Sequence, residues 1–105
     1  MAFVMFQYDR PTHTRNWHDY NGRVREWITG LLAIPGAVSF MAYRSTDGAS
    51  PNTTTMLEFR SLEDARQALG AEEMKAVVQG LRSLGAAPKV LIVERSPFTP
   101  EPIGA

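Results

Sequence analysis

Three short segments of the chain are apolar on both faces: Ala2 to Phe6 (AFVMF), Ala37 to Tyr43 (AVSFMAY) and Val90 to Val93 (VLIV). A strand with one wet face alternates apolar and polar residues, so a run without alternation must be covered on both sides. The rest of the chain offers two helical regions, which is cover for one side only. The other side calls for a partner, and a second copy of the chain fits that need. At 105 residues the chain reads as one domain, long enough for a real core and small enough for a subunit interface to contribute to its stability.

The first strand ends at Asp9-Arg10-Pro11, because proline cannot donate to a ladder. Thr14 is then placed as a helix N-cap. Trp17, Tyr20, Val24, Trp27, Ile28, Leu31 and Leu32 follow at spacings of three and four, one broad stripe of a helix. Gly22 weakens that helix by about 1 kcal/mol relative to Ala, so its firm part begins beyond Gly22. Pro35-Gly36 turns the chain into a second strand, and the turn formers of Thr46 to Asn52 lead to a third over Thr54 to Arg60. Ser61 opens the next helical region as an N-cap, with Glu63 and Asp64 where the helix dipole favours them. Gly70 interrupts this region, and Met74, Val77, Val78, Leu81 and Leu84 continue it as a second apolar stripe. Gly85 is a C′ residue with Pro88 just beyond. A last strand covers Lys89 to Arg95. The order β-α-β-β-α-β is the ferredoxin-like plan, an α+β fold with helices on one face of an antiparallel sheet. Residues 1 to 95 make that domain. Residues 96 to 105, with Pro97, Pro100 and Pro102, form an extended C-terminal arm.

Charge and composition exclude several functions. Nine Arg and two Lys balance eleven acidic residues and are spread along the chain, unlike the basic footprint of a nucleic-acid or membrane-surface binder. Without cysteine there is no disulfide, thiolate chemistry or Cys-ligated metal. The N-terminal residues lack a signal peptide's basic region and cleavage site, and no apolar run nears about 20 residues. The cytoplasm is the expected compartment. Asn52-Thr53-Thr54 matches the glycosylation pattern but reads as loop.

A helix running into Ile34-Pro35-Gly36-Ala37, a strand Ser39 to Tyr43, and Glu58-Phe59-Arg60-Ser61-Leu62-Glu63-Asp64-Ala65 before a helix resemble the dimeric α/β-barrel superfamily. Within it the likeness is to the antibiotic biosynthesis monooxygenase group. The resemblance implies two subunits packed sheet against sheet, each with a pocket between helices and sheet. It also implies a range of activities: cofactor-independent oxygenation of quinols and anthrones, haem degradation, cyclisation, decarboxylation. Haem degradation in such proteins uses an Asn of the first strand and a haem-ligating His. Here the first strand offers Gln7, and the second helical region has no His.

The candidate site follows from the residues that remain. His13 and His18 are the only imidazoles, and their five-residue spacing suits no metal pair, so no metal is expected. His18 projects off the apolar stripe toward solvent, whereas His13 precedes the helix at what would be the pocket mouth, where it is the candidate general base. Trp17, Tyr20 and Trp27, with Tyr8, Phe40, Tyr43 and Phe59 from strands, read first as core; the alternative is that they line a flat apolar slot. Asn21, one turn beyond Trp17, is the polar side chain placed to orient a ligand oxygen. The substrate-binding set is thus Trp17, Asn21, Trp27 and Tyr43. Glu58 reads as a cross-strand partner of Arg44 or Arg95, or else as a buried base. The expected function is a homodimer that binds a small aromatic or polyketide-like molecule and oxygenates it without a cofactor. A cyclase or isomerase of the same fold and a non-catalytic ligand-binding dimer are the alternatives.

Overall fold

The computed structural model describes the whole chain, Met1 to Ala105. Its elements are β1 (Ala2–Tyr8), α1 (Thr14–Leu32), β2 (Ala37–Arg44), β3 (Thr53–Phe59), α2 (Leu62–Ala68), α3 (Glu72–Ser83) and β4 (Lys89–Glu94). The strands form one antiparallel sheet in the order β2-β3-β1-β4. This is the ferredoxin-like α+β arrangement expected from the element order.

Strand register sorts the side chains onto two faces. On the helix side Val4, Phe6, Leu57 and Phe59 are fully buried and join Tyr20, Leu31, Met74, Val77 and Leu81 in one core. The opposite face carries Phe3, Met5, Met41, Tyr43, Met56, Leu91 and Val93, and no element of the chain covers it. Met41 and Tyr43 are 56% and 57% exposed there. The molecule is 18 Å across its thinnest axis, the depth of one sheet and one helix layer.

Local chemistry sets the element ends. α1 begins at Thr14 with His13 in the cap position, and His13 makes no side-chain cap hydrogen bond, so the expected Thr14 cap is off by one residue. The helix runs unbroken through Gly22, since packing of the Tyr20–Leu31 stripe outweighs that residue's weak propensity. Gly36 takes φ +86°, and a Cβ there would lie 2.5 Å from Asp64 Oδ2. Ser61 Oγ accepts from the Asp64 backbone N–H at 3.1 Å and caps α2. Gly85, at φ +89°, ends α3: its N–H donates to the Arg82 carbonyl and that of Ala86 to the Leu81 carbonyl, a Schellman pair. Thr53 and Thr54 belong to β3 rather than to the preceding loop.

Candidate functional site

Two hollows lie along α1, one against each half of the helix. The inner one, of about 30 Å³, lies between α1, the sheet and α3 and is lined by Phe6, Tyr8, Val24, Trp27, Ile28, Leu31, Phe40, Thr55, Val77 and Leu81. That volume is of the order of a single water, so the inner slot is packed core rather than a substrate pocket. The outer one, of about 400 Å³, opens at the end of the sheet and is lined by Arg10, Trp17, Tyr20, Asn21, Ala42, Tyr43, Arg44 and Thr53. This falls in the range of small-molecule sites. A third hollow of about 290 Å³ against α3 and β4 has no aromatic residue in its lining.

Tyr8 and Tyr20 form the wall between slot and groove. Their hydroxyls are 2.7 Å apart and buried, and the rings meet edge to face at 6.2 Å. Burial raises the Tyr8 pKa well above the ordinary tyrosine value; its hydrogen bond to Tyr20 adds to this, while Arg10 opposes it. The phenol is therefore a neutral hydrogen-bonding group. Tyr20 also stacks on Trp17 at 5.9 Å and meets Trp27 edge to face at 6.2 Å, so one aromatic chain runs from the core to the groove mouth.

The strand ends supply the polar rim. Tyr8, Thr53 and Arg44 sit in one cross-strand row, which turns Arg44 toward α1. Arg10 continues β1 past Asp9, and its guanidinium lies 5.9 Å from the Trp17 ring centre. Its backbone N–H donates to Asn52 Oδ1 at 3.0 Å. The Asp9 carboxylate accepts from the Ser50 hydroxyl at 2.6 Å and the Asn52 N–H at 2.8 Å, and these bonds, the hydroxyl first, hold it below the usual carboxylate range. The long β2–β3 loop is thereby tied to the end of β1 and fixes Arg10.

Of the residues expected in a site, Trp17, Asn21 and Tyr43 border the outer groove. Tyr43 reaches it only from the sheet edge, because its register opposite Thr54 directs the side chain to the uncovered face. Trp27 lies instead on the inner slot, with the Arg23 guanidinium 4.9 Å from its ring centre. His13 stands one helical turn before Trp17 on the same face, exposed and outside the groove lining. His18 is exposed. Glu58 is on the uncovered face, where its Oε1 accepts from Ser39 Oγ at 3.1 Å; Arg44 points to the other side and Arg95 pairs with Glu101 at 3.4 Å, so neither expected ion pair forms. Arg10 and Arg44 are the groove residues that sequence reasoning missed; Tyr8 and Tyr20 read from the sequence as core or slot rings, without the hydroxyl pair they form. The signal available for the pair was parity: Tyr8 shares its strand face with Val4 and Phe6, and Tyr20 shares its helix stripe with Trp27.

No helix is long and apolar enough to cross a membrane. No family model matches the sequence, and no curated protein matches it. Solved structures do. The chain is 14% identical to SnoaB, a cofactor-independent oxygenase from Streptomyces nogalater, over 95% of this chain and 98% of that one, with a TM-score of 0.68. A Deinococcus radiodurans protein provisionally classed as an antibiotic biosynthesis monooxygenase is 10% identical over 100% and 98% of the two chains, at a TM-score of 0.67. A protein of the ethyl tert-butyl ether D (EthD) family from Bacillus halodurans is 20% identical over 91% and 99%, also at 0.67. The chain has the ferredoxin-like α+β fold of antibiotic biosynthesis monooxygenase proteins.

Proposed function

We propose that the protein is a cytoplasmic homodimer that binds a small aromatic or polyketide-like molecule in the outer groove and acts on it as a cofactor-independent monooxygenase. The observation that carries this reading is the groove itself: about 400 Å³, walled by Trp17 and Tyr20, with Asn21 and two guanidiniums at its rim. A planar ring stacks on Trp17, and the Asn21 amide orients a ring oxygen. His13, one turn nearer the helix start, takes the phenolic proton of a ligand that projects from the groove. The phenolate is electron-rich enough to pass an electron to dioxygen, and recombination of the two radicals forms a carbon–oxygen bond. The O–O bond then breaks as the same carbon loses its remaining hydrogen, so one oxygen atom ends as a carbonyl of the product and the other leaves as water, with all four electrons supplied by the substrate. The protein contributes a base, orientation and a dry wall. The fold shared with SnoaB, a cofactor-independent oxygenase, supports this choice over a cyclase or isomerase.

The test is oxygen consumption with anthrone or a naphthalene quinol. Stoichiometric uptake at a saturable rate is the expected result, and His13→Ala or Asn21→Ala should lower the rate by about 10²-fold or more if the residue acts as base or positioner. Binding without oxygen uptake would establish the non-catalytic dimer. Wild-type rates in both variants would remove these residues from the site.

A further inference from the structure

Two cations face this groove, and neither is paired with a carboxylate. The chain has two ion pairs, Lys75 with Glu72 and Arg95 with Glu101. Arg10 and Arg44 belong to neither, and no Asp or Glu is among the residues lining the groove. Both guanidiniums are aimed there by structure. The Tyr8–Thr53–Arg44 row sends Arg44 to the helix side of the sheet, and the Asn52 amide oxygen holds the Arg10 backbone while its side chain lies over Trp17. β3 separates the two strands, so Arg44 lies about 9–10 Å, two strand spacings, from Tyr8, and Arg10 follows Tyr8 by two residues. Both side chains line the one groove, and two long cationic side chains on its wall suit one planar anionic group.

Resting on the reading of the groove as an aromatic site, we infer that its ligand is an aromatic carboxylate, seated with its carboxylate between Arg10 and Arg44 and its ring on Trp17. An arginine fork matches the planar, bidentate geometry of a carboxylate. A neutral ring would leave two like charges facing each other across a partly dry groove. An anionic oxygen relieves that repulsion and adds charge-assisted hydrogen bonds. The Tyr8 phenol behind the groove, held in its protonated form by burial, adds no opposing charge.

The experiment compares 2-naphthoate with uncharged 2-naphthamide by tryptophan fluorescence and calorimetry on the full-length protein. The anion should bind at least about tenfold more tightly, a preference worth about 1.4 kcal/mol, and the preference should shrink as salt is raised. Arg44→Gln should abolish the preference, and Arg25→Gln, on the solvent side of α1, should preserve it. Arg10→Gln should act like Arg44→Gln. If it fails to fold, Arg10→Lys, which keeps the charge, should retain most of the preference. Equal affinity for the two probes overturns the anion seat and leaves the aromatic groove standing. If neither probe binds, and Trp17 fluorescence is unmoved by both, the groove reading itself falls and the anion seat with it. A preference that survives Arg44→Gln overturns the assignment of the seat.

Discussion

Tyr8 and Tyr20 are an example of a contact whose value lies in its being complete. Each hydroxyl is the other's partner at 2.7 Å, away from water. Tyr8→Phe or Tyr20→Phe alone strands the remaining hydroxyl in apolar surroundings, at a cost of about 1–3 kcal/mol. Replacing both leaves two rings of the same shape and no orphan, so the double variant should cost well under the sum of the singles. Urea denaturation of the four proteins measures the coupling, and strictly additive costs would show that the hydroxyls do not depend on each other. The pair also sets an alkaline limit. The folded Tyr8 keeps its proton to higher pH than an ordinary tyrosine. Above about pH 10 the unfolded chain releases that proton and the folded chain does not. The folded state then binds more protons, so its stability falls as pH rises, by up to about 1.4 kcal/mol per pH unit for one group. Stability is unaffected by this group below pH 10, and Tyr8→Phe should make the decline above it shallower.

At the scale of elements, α1 and α3 meet where a ring replaces a side chain. A Cβ on Gly80 would lie 2.5 Å from Trp27 Cζ2 and 3.1 Å from Cε2. The gain of about 1 kcal/mol in helix propensity from Gly80→Ala is set against overpacking of about 1–3 kcal/mol, and the ring cannot retreat far with Tyr20 and Arg23 around it. Gly80→Ala should therefore destabilise the protein, whereas Gly22→Ala, with nothing within 4 Å of its Cβ, should stabilise it by about 0.5–1 kcal/mol. Thermal denaturation of the two variants decides it, and shifts of the same sign would show that propensity outweighs the helix contact. These glycines also show what the sequence displays and what it hides. The apolar stripes, the Ser61 cap and the Gly85 stop are local patterns, and they place every element to within a residue or two. Gly80 looks like any helical glycine until Trp27 is set against it. The site is hidden in the same way. Trp17 and Asn21 are neighbours on one helix and could be paired by spacing alone. The Tyr8–Tyr20 bond and the Arg10–Arg44 rim join residues 12 and 34 positions apart, and they exist only once register is fixed. Tyr43 fell on the other side because parity, which the unbroken apolar run of β2 conceals, decides its face.

The whole molecule carries more surface than its mass requires. A folded monomer of this size exposes about 5,900 Å², against 6985 Å² here, and the excess of about 1,100 Å² is comparable to one partner's share of a standard interface. Part of it is the uncovered sheet face with Met5, Met41 and Met56; part is the arm, whose Phe98 and Ile103 are 92% and 78% exposed. Apolar groups left in water on a face and on an arm call for a partner, and one second copy can cover both. Sedimentation equilibrium should find a dimer at micromolar concentration, and Met41→Asp, which puts a charge into the exposed sheet face, should shift it to monomer while leaving the helix-side core intact. The arm makes the finer prediction. Prolines at 97, 100 and 102 limit its freedom in the unbound chain, so laying it across a second subunit costs little ordering entropy. Full burial of Phe98 and Ile103 is worth about 1.5–3 kcal/mol each, and even half of that weakens the dimer roughly tenfold when lost. Deleting residues 97 to 105 should therefore raise the dimer dissociation constant by at least about that factor with the monomer fold unchanged, since every strand and helix ends before the cut. An unchanged constant would mean that the arm never meets the partner, and that the sheet face alone holds the two copies together.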